Sequence, residues 1–286
     1  MADGVRVTYN GYKGVRLAGD RWEPASDVRG DVVLLHGGGQ TRFSWSKTAE
    51  RLCGAGWRVL SMDLRGHGES DWAPDADYRI TAYVGDLETV VATLSTRPVL
   101  VGASLGGITS LVAAGENPNL ARAIVLVDIV PRTEEGGTDR IKEFMSAKPD
   151  GYETLEDVAA AVQAYNPHRS RPVNVEGLRK NLRRGDDGRW HWHWDPAFMK
   201  PPRPEHQLDI SGNRLHEAAA QVRVPTLVVR GEQSDVITQA GIDELLGMVP
   251  GSTAVTVPGA GHMVAGDDND VFSREVITFL DALPAL

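Results

Sequence analysis

Ser104 is the one hydroxyl in "VGASLGG" (residues 101–107), with Gly102 two positions before it and Gly106 two after. That G-x-S-x-G spacing suits a nucleophile held on a sharp turn between a strand and a helix, where side chains at the flanking positions would clash. In a chain with 31 glycines the local pattern alone decides little. It gains meaning only with a strand before it, a helix after it, and a base and an acid further along the chain.

A serine hydroxyl is a weak nucleophile until a base takes its proton and a third group orients that base. Of the eight histidines, His262 in "PGAGHMV" is the candidate base, because its glycine-flanked loop lies between the last strand and the last helix. His36 and His67 sit in turns, where bonding to backbone is expected. Two acids compete to orient His262. Asp235, in "GEQSD" after the apolar run "TLVVRG", is favoured, and Asp128, ending "AIVLVD", is the alternative.

The elements around these residues alternate. "DVVLLHGGG" (31–39), "WRVLSMDLRG" (57–66), "RPVLVGAS" (97–104), "ARAIVLVDI" (121–129), "PTLVVRG" (225–231) and "STAVTV" (252–257) read as buried strands. "WSKTAERLCGAG", "ITAYVGDLETVVATLS", "LGGITSLVAAGENP", "QAGIDELLGMV" and "VFSREVITFLDAL" read as helices between or after them. Apolar runs alternating with amphipathic helices imply an α/β protein with a mainly parallel sheet covered on both faces. "VRVTYNGYKGVRLAGD" reads as an antiparallel hairpin on the sheet edge.

The rhythm breaks between Val130 and Pro225, a stretch too long for a plain connection. "TLEDVAAAVQAY" opens with Thr154 and Asp157 in capping-box spacing, and "NVEGLRKNLRR" reads as a second helix. The aromatic "RWHWHWDPAFM" follows. The expected organisation is a core of residues 1–130 and 223–286 and an inserted helical cap of residues 131–222.

The order Ser104, acid, His262, with "HGGG" (36–39), "DLRGHGES" (63–70), "GASLGG" (102–107), "GEQSD" (231–235) and "GAGH" (259–262), resembles the α/β-hydrolase superfamily over nearly the whole chain. The resemblance implies an eight-stranded, mainly parallel sheet with a helical cap after strand 6. It also implies an oxyanion hole from backbone N–H groups of Gly38 and Leu105, with Gly39 beside them. Asp63 and Arg65 are expected to tie loops together. Gly39, Trp192, Trp194 and Met263 are the expected substrate contacts, an aromatic wall under the cap being one reading of the tryptophans and cap-to-core packing the other. His191, His193 and Asp195 could be imagined as metal ligands, but nothing supplies a fourth, so no metal or other cofactor is expected.

The implied chemistry is hydrolysis of a small-molecule carboxylic ester or lactone, its substrate apolar or aromatic, through an acyl-enzyme on Ser104. Carbon–carbon hydrolases of ring-fission products and cofactor-free perhydrolases share the triad, and some proteins of this fold act as ligand receptors. A serine at the elbow argues against the branches that use an aspartate there. A net charge of −9 argues against nucleic acid or acidic membrane as partners. The first residues carry no apolar signal segment, and Cys53 is the only cysteine, so a cytoplasmic protein without disulfides is expected.

Overall fold

The computed structural model describes residues 4–25, 27–132, 134–165, 175–200, 212–262 and 270–284. Its eight-stranded sheet consists of β1 (Val5–Asn10), β2 (Arg16–Trp22), β3 (Asp31–Leu35), β4 (Arg58–Met62), β5 (Val99–Ala103), β6 (Ala123–Val127), β9 (Thr226–Gly231) and β10 (Thr253–Val257). Between β6 and β9 the chain forms the two-stranded hairpin β7 (Leu182–Arg184) and β8 (Trp190–Trp192). The large sheet runs in the order β1-β2-β4-β3-β5-β6-β9-β10. The expected edge hairpin is present: β1 pairs antiparallel with β2, and β2 with β4, while the remaining pairs are parallel.

Every residue of β3, β5 and β6 is buried, as strands covered on both faces must be. Period-two alternation divides them between two cores. Val33, Leu35 and Leu100 face one side with residues of α2 (Ile80–Val91), α3 (Leu105–Glu116) and α8 (Gln239–Met248). Val32, Leu34, Val99 and Val101 face the other with α1 (Ser46–Gly54) and α9 (Asp270–Asp281).

The inserted segment carries α4 (Glu135–Ser146), α5 (Leu155–Tyr165), the single turn α6 (Val175–Leu178) and the β7–β8 hairpin. The capping box forms as its spacing predicts: Thr154 N–H donates to Asp157 Oδ2 and Asp157 N–H to Thr154 Oγ, each at 3.1 Å. Two expectations need correction. "NVEGLRKNLRR" does not remain helical, because Leu182–Arg184 pair with Trp190–Trp192 and cross-strand pairing overrides local propensity. The cap also ends earlier than residue 222. Helix α7 (Gly212–Gln221) lies against α3, with Leu215, Ala218 and Ala219 buried in the main core and no room for a side chain at Gly115 beside Ala218.

Among the described residues no helix is long and apolar enough to cross a membrane.

Candidate active site

Ser104 follows β5 directly and has φ 44° and ψ −111°, a backbone strained for a residue with a side chain. The turn is fixed on both sides. Ser104 N–H donates to Val127 O on β6 at 3.1 Å, and Gly106 N–H donates to His36 O beyond β3 at 3.1 Å. A Cβ on Gly102 would overlap the Gly106 carbonyl, and one on Gly106 would overlap the Leu35 carbonyl. The two glycines of the motif are therefore steric necessities for a strand, a turn and a helix crowded into one corner.

The acid beside the histidine is Asp128. Ala103 of β5 is in register with Val127 of β6, so Ser104 and Asp128 leave neighbouring strands side by side. Asp128 Oδ2 lies 2.6 Å from His262 Nδ1, with the carboxylate fully buried and the histidine side chain 10% exposed. An ionised carboxylate only accepts, so this contact places the imidazole proton on Nδ1 and leaves Nε2 as the ring's basic nitrogen. Ser234 Oγ donates to the same oxygen at 2.5 Å, and Gly231 N–H donates to Oδ1 at 3.2 Å. Asp128 has φ 53°, a second strained non-glycine position at this edge.

Asp235, the favoured acid in the sequence, does not reach His262. Its side chain is 40% exposed and pairs with Arg140 of α4 at 2.9 Å. The reason is local: Ser234 turns inward onto Asp128, and the next residue of the loop faces outward onto the cap. Asp128, the alternative in the sequence, is the acid that the fold brings to His262. Ser234 was missed altogether, although it stands in the motif "GEQSD"; only its neighbour has a charge to draw attention.

The glycine loop after β3 is a tight turn. Gln40 N–H donates to Gly37 O at 3.1 Å, Gly37 N–H donates to Gln40 Oε1 at 2.9 Å, and Gly39 has φ 74°. The closing bond of such a turn engages neither of the two middle N–H groups, those of Gly38 and Gly39. A Cβ on Gly37 would lie 3.4 Å from that of Ser104, so the turn sits against the serine. Across from it, Leu105 opens α3, where a first-turn N–H has no carbonyl within its own helix to bond.

His36 and His67 bond backbone, as their positions in turns predict. His36 Nδ1 lies 2.8 Å from Gly37 O, and Leu64 N–H donates to Nε2 at 3.0 Å. His67 Nδ1 lies 3.0 Å from Arg65 O. Burial holds both neutral, pushing His36 down to about 4 and His67 to about 3. Asp63 and Arg65 do tie loops together: Arg65 clamps buried Asp86 through Nε and Nη2 at 2.6 and 2.7 Å, and Asp63 binds Arg42 and the Glu69 N–H.

Side chains of the segment between β6 and β9 pack on this loop. The Trp192 and Trp194 rings stack at 4.9 Å, and a Cβ on Gly39 would lie 3.1 Å from the Met145 methyl and 3.4 Å from the Trp194 ring. Phe198 faces Gly38. Trp194 is buried, its ring against the Gly39 turn. His191, His193 and Asp195 diverge to three different partners: His191 bonds Asp187, His193 Nδ1 accepts from Gly68 N–H at 2.6 Å, and Asp195 accepts from Tyr78 Oη at 2.5 Å. Among the described residues no three potential ligands converge as a metal requires. Met263 lies outside the described residues.

The model of the alpha/beta hydrolase fold matches residues 31–268 of the sequence. The chain belongs to the alpha/beta hydrolase family. It is a hydrolase, and relatives agree. It is 29% identical to the 3-hydroxybutyrate-oligomer hydrolase of Cupriavidus necator, covering 86% of this chain and 87% of the relative. It is 30% identical to an esterase of Mycobacterium tuberculosis, over 82% of this chain and 78% of the other. The crystal structure of an alpha/beta hydrolase from Novosphingobium aromaticivorans superposes with a TM-score of 0.81 at 28% identity, covering 99% of this chain and all of that one.

Proposed function

We propose that this hydrolase cleaves a small-molecule carboxylic ester or lactone through an acyl-enzyme on Ser104. The observation that carries the reading is the buried Asp128–His262 contact beside the strained serine turn. Asp128 fixes the imidazole with its proton on Nδ1, so Nε2 can accept the proton of Ser104 Oγ as that oxygen bonds to the substrate carbonyl carbon. The carbonyl oxygen becomes an anion, stabilised by the N–H groups of Leu105 and Gly38, which need no reorganisation to receive it. The tetrahedral centre collapses, and the leaving alkoxide takes the proton from His262. Water then attacks the acyl-enzyme, giving its proton to His262, and as the Oγ–acyl bond breaks His262 passes that proton to Ser104 Oγ and the acid departs. Donors from Ser234 and Gly231 hold the Asp128 carboxylate in place throughout.

The similarity to an esterase, beside that to a 3-hydroxybutyrate-oligomer hydrolase, supports ester chemistry. The test compares wild type with Ser104→Ala on p-nitrophenyl esters from acetate to octanoate. Activity is expected to fall by about a thousandfold or more in the variant. Equal turnover by the two proteins would refute the nucleophile. Turnover of a ring-fission dienoate with no ester turnover would replace the ester reading with carbon–carbon hydrolysis.

A further inference from the structure

Helix α4 touches the core at two points. At its first turn Gly137 packs so closely on the Asp235 carbonyl that a Cβ there would overlap it, and Arg140 pairs with the Asp235 carboxylate. At its last turn Met145, buried, lies against Gly39. The first contact is on the loop after β9 and the second on the loop after β3. In the sheet β5 and β6 run between those two strands.

The dimensions agree. Three steps across a sheet from β3 to β9 span about 14 Å, and eight residues of α-helix from 137 to 145 rise about 12 Å. Gly137, Ile141 and Met145 recur every four residues and so share one face of the helix. Ile141, partly buried and packed on the main core, lies midway between the two contacts. The midpoint of the span falls over the ends of β5 and β6, where Ser104 and Asp128 emerge.

We infer that α4 is a strut laid across the catalytic edge, and that Ile141 and Met145 on its underside set the length of the acyl group that Ser104 accepts. The inference rests on the acyl-enzyme reading and adds the substrate class: short, uncharged acyl chains, since each further methylene must displace packed side chains. Met145, Trp194 and Phe198 already cover the outer side of the Gly38–Gly39 turn. Arg140 of the helix is engaged by Asp235 and by the face of Tyr165, and Gly137, Ile141 and Met145 are uncharged, so among the described residues this face of α4 itself presents no charge to an acyl tail. Asp235 then has a role as the anchor of the strut.

The experiment measures kcat/KM for p-nitrophenyl acetate, butyrate and octanoate with wild type, Met145→Ala and Ile141→Phe. Alongside it, Ser104 labelling by p-nitrophenyl alkylphosphonates of the same chain lengths is followed. In labelling, the Ser104 Oγ–phosphorus bond forms, p-nitrophenolate leaves and the serine proton passes to His262, so this readout does not depend on ester turnover. Met145→Ala is expected to raise the octanoate-to-acetate ratio about tenfold, and Ile141→Phe to lower the butyrate-to-acetate ratio by a similar factor, with the phosphonate rates following. Because the two variants move the profile in opposite directions, a general loosening of the cap by one of them cannot mimic the result. Ratios within twofold of wild type in both variants, with Ser104 still labelled, would overturn the strut and leave the acyl-enzyme reading intact. Failure of Ser104 to react with any phosphonate would overturn that reading itself.

Discussion

Two loops at the carboxyl edge of the sheet carry an aspartate, and they are held in opposite ways. The loop after β6 turns Asp128 inward, where it is fully buried and receives His262, Ser234 and the Gly231 N–H. The loop after β9 turns Asp235 outward to a single cation on the cap. In the proposed mechanism the same side chain is a positioning group in one place, and in the inferred strut it is an anchor in the other. Desolvation and the number of converging donors make the difference, because a buried carboxylate is tolerable only when its lone pairs are satisfied.

The comparison breaks first at Asp128. Asp128→Asn is expected to lower kcat by about 10⁴-fold with little change in KM, since an amide can present its own N–H to Nδ1 and select the wrong tautomer. Steady-state kinetics on the best ester checks this, and a loss under tenfold would return the role to another acid.

Acid should expose the same contrast between buried and exposed groups. His36, His67 and His193 form a chain of buried rings from the glycine loop to the cap, with centroids 5.3 and 5.7 Å apart. Burial lowers all three from the ordinary histidine value. The unfolded chain therefore binds protons that the folded one refuses. Their stabilising effect is complete above about pH 6.5 and falls away as the pH drops towards 4, by about 3 kcal/mol for His36 alone. Thermal melts between pH 7.5 and 4.5 should show a steep fall, blunted in His36→Asn; a flat profile in wild type would contradict it.

A smaller effect is expected at Ser234. Ser234→Ala removes one donor from Asp128 and should reduce kcat about tenfold, as a hydrogen bond to a charged group does. The smallest belongs to Asp235. Asp235→Asn loses a half-exposed ion pair of about 0–1 kcal/mol and should leave kcat on p-nitrophenyl acetate within about threefold of wild type. A loss at Asp235 as large as that at Asp128 would erase the distinction between the two loops.

Fully apolar runs ending in glycine had to become buried parallel strands, and a serine between two glycines after such a run had to become a turn too tight for side chains. The placement of Ser104, Gly38 and Leu105 at a strand-to-helix turn and a glycine turn was legible because strand ends and helix starts are local properties. The placement of His262 in a loop after the last strand was legible in its glycine-flanked motif. The choice between Asp128 and Asp235 was not, since both follow apolar strands and differ only in which way one residue of a loop turns. That direction is set by register: Ala103 opposite Val127 puts Asp128 beside Ser104, and Ser234 fills the inward position that Asp235 would need. The hairpin that ends the expected cap helix, the return of α7 to the core and the placement of Met145 and Phe198 on the glycine turn are likewise long-range packing outcomes. Local pattern fixes which elements form and where they turn, whereas contacts between residues far apart in the chain decide which side chain occupies the space between them.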